Sequence, residues 1–173
     1  MTPIYTTRKL QKLVQRLITS EVSESETLLG RWNATVFYIN RKKCWLISNA
    51  KTQYNVVLKD ITAADLDSIG SIFKKCLYKQ LRCDGININY SQIEYEIGEV
   101  SFLPTNNDRR ATGFQNQRLY ELDWWKYEFG TLENMPMSDL VNRMNSSPVR
   151  LGERKMPSDF TNAIKEMKQI WSN

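Results

Sequence analysis

Two apolar runs, Thr35-Val36-Phe37-Tyr38-Ile39 and Cys44-Trp45-Leu46-Ile47, flank the polar tetrapeptide Asn40-Arg41-Lys42-Lys43. Short stretches rich in β-branched and aromatic residues around a polar break predict a β-hairpin with a four-residue connection. Both runs are apolar on both faces, so the hairpin belongs at the centre of a sheet that is covered on each side. Gln53–Leu58 reads as a third strand, reached by a short turn through Asn49, Lys51 and Thr52.

Moving outward, residues 3–7 read as a first strand and Glu99–Leu103 as a strand stopped by Pro104. Helical spacing recurs at Leu10, Leu13, Val14, Leu17 and Ile18, with Thr6 or Thr7 as cap. The clearest helix starts at the capping-box-like Thr62-Ala63-Ala64-Asp65, runs through Leu66, Ile69, Phe73, Cys76 and Leu77, and ends near Asp84-Gly85. Residues 86–98 alternate at Ile86, Ile88 and Tyr90, but their Asn and Gln content argues for a loop. Leu119, Leu122, Trp125 and Phe129 predict a helix closed by Gly130. Shorter helices are expected from Ser138 and from Ser158, joined by an extended connector over 145–157. Ser20–Thr27 reads as a polar loop. The order predicts an α+β fold, a small mostly antiparallel sheet with a central hairpin, covered by helices. Residues 1–130 are expected to form the core domain, with 131–173 a helical extension packed on it.

Composition limits the chemistry. The chain has 173 residues, 24 Lys and Arg against 19 Asp and Glu, and no histidine. Ser-His-Asp and Cys-His catalysis and His-ligated metal sites are therefore excluded. Cys44, Cys76 and Cys83 form no C-x-x-C motif; the first two read as core residues and the third as exposed. The absence of an apolar membrane-spanning run or leader-like segment predicts a cytoplasmic protein with no membrane partner. Charge is patterned: Arg8, Lys9, Lys12 and Arg16 occur with no acid between them, and Arg150, Arg154 and Lys155 cluster later.

The segment Thr105–Asn116 concentrates functional groups in what reads as a turn between strand and helix. Arg109 and Arg110 offer forked donors for phosphate or carboxylate. Asn107, Asp108, Gly113 and Asn116 are read as shaping the turn. Arg41 and Lys42 at the hairpin tip, beside Tyr38 and Trp45, form a second candidate anion contact. The basic face of the first helix is a third. A metal-dependent enzyme would have to draw on Glu94, Glu96, Glu99, Asp108, Glu121 and Asp123, none in a recognisable metal-binding pattern. Tyr120, Trp124, Trp125, Tyr127 and Phe129 are too many rings for one helix face to bury, so some must meet the segment 131–173 or a partner.

Several ordered motifs carry a family resemblance: I-Y-T-T-R-K-L-Q-K-L (4–13), L-G-R-W-N-A (29–34), I-N-R-K-K-C-W-L-I-S-N-A-K-T (39–52) and T-N-N-D-R-R-A-T-G-F-Q-N (105–116). Over residues 3–129 this series resembles a family of small bacterial proteins known only as a domain of unknown function. The resemblance implies a bacterial or phage source and no established activity. It points to Trp32, Arg41, Asn49, Asn107, Asp108, Arg109, Gly113 and Asn116. The residue that the family carries as Asp before Trp32 is Arg31 here. The expectation is a non-catalytic binding module for an anionic ligand, nucleic acid or an acidic protein, needing no cofactor. A metal-dependent phosphate-ester enzyme and a protein–protein interaction factor of antitoxin, immunity or phage type are the alternatives.

Overall fold

A computed structural model of the chain describes residues 1–20, 27–152 and 156–172. Five strands, β1 (Thr2–Thr6), β2 (Trp32–Ile39), β3 (Lys42–Asn49), β4 (Asn55–Leu58) and β5 (Val100–Leu103), form one sheet in the order β4-β3-β2-β1-β5. The long strands pair antiparallel, β2 with β3 over eight residue pairs and β3 with β4 over four. β1 is parallel to both neighbours, over three pairs with β2 and four with β5. The α+β reading therefore holds, with an antiparallel hairpin at its centre.

The hairpin is tighter than its sequence suggests. Ile39 pairs with Lys42, leaving a two-residue turn of Asn40 and Arg41, both at positive φ (47° and 67°). That conformation matches the twist of the flanking strands, which is why two-residue turns favour it. Lys42 and Lys43 accordingly belong to β3 and not to the connection.

Helices cover both faces of the sheet. One face meets α1 (Arg8–Leu13), α2 (Ile69–Cys83), α3 (Tyr90–Ile97) and α6 (Ala163–Ser172) around Trp32, Trp45, Tyr54 and Phe73. The other meets α4 (Arg109–Phe129) and α5 (Met137–Ser146) around Phe37, Ile39, Cys44, Leu46 and Val57. The segment after residue 130 thus adds Met137, Leu140, Val141 and Met144 to one core and Met167 to the other. In a small two-stranded sheet, β6 (Pro148–Arg150) lies in the expected connector, and β7 (Phe160–Asn162) takes the first residues of the helix expected from Ser158, which begins only at Ala163.

Three expectations change. The first helix stops at Leu13 and continues only as a 3-10 turn, Gln15–Leu17; Thr7 caps it by accepting from the Leu10 amide. Residues 90–97 are helical because Asn89 and Gln92 supply a reciprocal cap while Ile93 and Ile97 are buried. α4 begins at Arg109, since the Asp108 carboxylate accepts from the amides of Arg110 and Ala111. Two thirds of the expected turn is therefore helix, and Gly113 and Asn116 stand inside it. The expected loop 20–27 lies mostly, and Arg154 and Lys155 lie wholly, outside the described residues.

Candidate functional site

α4 runs along β2, from Asn33 at the hairpin's open end to the turn, where the Asn40 side chain donates to the Gly130 carbonyl at 2.8 Å. Its sheet-facing stripe is Gln115, Arg118, Leu122, Trp125 and Phe129, with the last two half-buried. The stripe is apolar over the last turns and polar over the first. The sheet beneath changes in step: Phe37, Ile39, Cys44 and Leu46 lie toward the turn, Asn33 and Ser48 toward the open end.

A hydrogen-bonded chain crosses this polar end. The Gln115 amide donates to the carbonyl of Asn33 at 2.8 Å and to Ser48 Oγ at 3.4 Å. Ser48 donates to Asn55 Oδ1 at 2.8 Å. Asn145, on α5, accepts from the Asn55 amide at 2.8 Å and donates to the Asn55 carbonyl at 3.1 Å, closing the edge of β4 as another strand would. It also donates to Asp84, a buried carboxylate that takes Tyr54 Oη at 2.5 Å, Gln80 Nε2 at 2.9 Å and Asn142 Nδ2 at 2.8 Å. Burial, and then the Asp84 charge, hold the Tyr54 phenol well above its ordinary range.

The first turns of α4 separate two concavities. On one side, a solvent-open cavity of about 150 Å³ has Asn33, Ser48 and Gln115 at its base, Phe114 and Leu151 on its walls, and Arg31, Lys51 and Arg110 around it. Asp108 also reaches it and pairs with Arg31 at 3.3 Å. Asn49 sets this corner: its side-chain Oδ1 accepts from the backbone amides of Lys51 and Thr52, and its Nδ2 donates to Leu29 O. On the other side lies an open groove of about 900 Å³. β1 ends opposite Ala34, so the outer half of β2 has no strand beside it there; the start of α1 and α4 form the walls. Arg8, Lys9 and Arg109 line this groove, with Thr35, Asn107, Thr112 and Asn116 between them, and no carboxylate is among its lining residues.

The structure splits the expected anion contacts. Arg109 faces the groove and Arg110 the cavity, where Arg110 also donates to Gly152 O at 2.9 Å. Arg41 and Lys42 sit at the far end of the hairpin, roughly 23 Å from the open end at the usual rise per residue. Lys42 is held between Glu133 and Asp60; the hydrogen bond to Glu133 is the main cause of its raised pKa. Trp45 is core, whereas Tyr38 is exposed with the Lys9 ammonium 5.2 Å from its ring centre.

The turn residues divide as well. Asn107 takes a positive φ of 54°, the Asn106 side chain accepts from the Asp108 amide, and Asp108 caps the helix. Gly113 lines the groove with open space around its Cα. Among the described residues, no three Cys, Asp or Glu side chains converge on a common point. Missed from the sequence were Asn33, Ser48 and Gln115. Their signal was present as polar residues at inward-facing positions of strands and a helix.

The fold and this two-sided site define an α+β protein built around an α4–hairpin contact. The chain belongs to the family of the domain of unknown function DUF6933, whose model matches residues 3–166. The match runs well past the motif series, through α4, α5 and the start of α6. No match was found among curated proteins or solved structures. Among the described residues, no helix is long and apolar enough to cross a membrane.

Proposed function

We propose that the protein binds single-stranded nucleic acid in the groove between α1 and α4. The observation that carries this reading is the lining: three cations, several hydroxyl and amide donors, and no acid. Arg109 has no hydrogen-bond or ion-pair partner among the described residues, and Arg8 touches only Asn107, at 3.4 Å. Cations left unpaired in a concave surface attract a phosphate backbone and release its counterions. A duplex is read by an element that projects into its grooves; here the protein offers the groove, which suits a single strand.

Beyond the groove the same side of α4 carries Tyr120, Trp124 and Tyr127, each more than 60% exposed. Their spacing of four and three residues aligns them along one face, as stacking platforms for bases leaving the groove. Glu121, Asp123 and Glu128 outnumber Lys126 there, so phosphate contacts belong to the groove end. The exposed rings also favour a second reading, a partner protein docked on α4. Fluorescence anisotropy with labelled single-stranded RNA and DNA, with polyglutamate as the acidic-protein control, tests the first reading. Binding of the oligonucleotides that is lost in Lys9→Glu/Arg109→Glu is expected. Absence of binding at low salt, or equal competition by polyglutamate, would overturn it. Quenching of Trp124 places the strand on the rings, and an unquenched Trp124 in the bound complex leaves them to a protein.

A further inference from the structure

On the opposite side of α4, the smaller cavity has a different character from the groove. Its base holds Asn33, only 6% exposed, whose side-chain amide has no hydrogen-bond partner among the described residues. Its polar atoms are reached by solvent from the cavity and stand open to hydrogen bonds from a ligand. Ser48 and Gln115 beside it are likewise nearly buried, and they are tied to the backbone and to each other. The cavity base is thus polar, fixed, and offers both a donor and an acceptor.

Around this base stand Arg31, Lys51 and Arg110, whose side chains each make one polar contact with the described residues: Arg31 to Asp108, Lys51 to Leu28 O, and Arg110 to Gly152 O. Each keeps further N–H donors available. The one carboxylate, Asp108, is committed, with Oδ1 on the amides of Arg110 and Ala111 and Oδ2 on Arg31. Three cations against one acid leave the cavity two positive charges in excess, which a phosphate dianion would neutralise. The volume is larger than inorganic phosphate needs and close to the roughly 150 Å³ known to admit one benzene ring. Phe114 and Leu151 supply apolar wall for a short carbon skeleton.

We infer that this cavity is a binding site for a small phosphomonoester bearing hydroxyl groups, of sugar-phosphate size. The phosphate sits among Arg31, Lys51 and Arg110, and the hydroxyls meet Asn33 and the polar base. The site shares no cation with the groove, so it stands or falls independently of nucleic-acid binding.

Isothermal titration with ribose 5-phosphate, inorganic phosphate and ribose tests the assignment on the full chain. Ribose 5-phosphate is expected to bind more tightly than inorganic phosphate, with ribose silent. The exposed-rim variants Arg110→Gln and Lys51→Gln are each expected to weaken binding about tenfold, the scale of one lost charge-assisted contact. Asn33→Asp, nearly isosteric but negative, is expected to abolish it, with a thermal melt to confirm folding. Arg109→Glu, in the groove, leaves it unchanged. No heat with ribose 5-phosphate up to about 10 mM would overturn the inference, since that is weaker than any useful specific site. So would ribose binding as tightly as its phosphate, or affinity that survives both rim substitutions.

Discussion

Leu46 and Ser48 lie two residues apart on the same face of β3, both nearly buried and both under α4, yet they belong to different regions. Around Leu46 and toward the turn, Phe37, Ile39, Cys44, Leu122 and α5 make a dry core. Around Ser48 and toward the open end, the sheet's inward groups Asn33, Ser48 and Asn55 are polar, and hydrogen bonds take over much of the packing. The apolar end supplies cohesion by removing surface from water. The polar end contributes less and demands that each partner be in place. Cavity and groove both open at the polar end, where the helix is held by directional bonds and its flanks remain available for ligands.

The sharpest way to break this contrast is at the hub of the polar chain. Asp84→Ala leaves Tyr54, Gln80, Asn142 and Asn145 without their shared acceptor. Urea melts should show a loss of about 3–5 kcal/mol, the range for breaking buried charged networks. Leu46→Ala should cost about 3 kcal/mol, from lost transfer energy and the cavity left behind. Ser48→Ala on the same strand face should cost only about 1 kcal/mol, one buried hydrogen bond. Equal losses for these last two would erase the distinction between the ends. At the far end of the hairpin, Arg41→Gly should stabilise by about 1 kcal/mol, since Arg41 holds a positive φ that glycine adopts without strain.

The polar chain also predicts the response to alkali. Burial and Asp84 raise the Tyr54 pKa well above 10.0 in the folded protein. The unfolded chain releases that proton first, so Tyr54's contribution is intact below about pH 10 and declines as pH rises beyond it. Tyr54→Phe should flatten that part of the stability–pH curve; an unchanged slope would mean that other groups dominate.

Legibility in the sequence follows the same division. The hairpin strands, the body of α2 and the apolar half of α4 are readable because burial writes itself as periodicity, although the capping box at Thr62 and Asp65 opens a 3-10 turn, Ala63–Ser68, and the α-helix begins only at Ile69. The first turns of α4 are not readable, since Ala111, Gln115 and Arg118 follow helical spacing without being apolar. Asp108 reads as a turn residue in the sequence, though its decisive role is as the helix cap that starts α4 ten residues before Leu119. The two-residue turn was hidden because Arg41 replaces the glycine that usually marks it. Of the anion contacts, Arg109 and Arg110 were identified as a pair, but adjacent helical residues point about 100° apart, and only the fold shows them serving different concavities. Arg31 and Lys51 approach Arg110 only through the pairing of β2 with β3 and the turn set by Asn49. No one-dimensional pattern carries that information.

The central claim is that the unpaired cations between α1 and α4 hold a phosphate backbone. It is tested most directly by the salt dependence of single-stranded oligonucleotide binding. Three phosphate contacts, from Arg8, Lys9 and Arg109, predict a log–log slope of about −2, and Arg109→Gln should reduce its magnitude by about 0.7. A slope near zero, or one that Arg109→Gln leaves unchanged, would contradict the account.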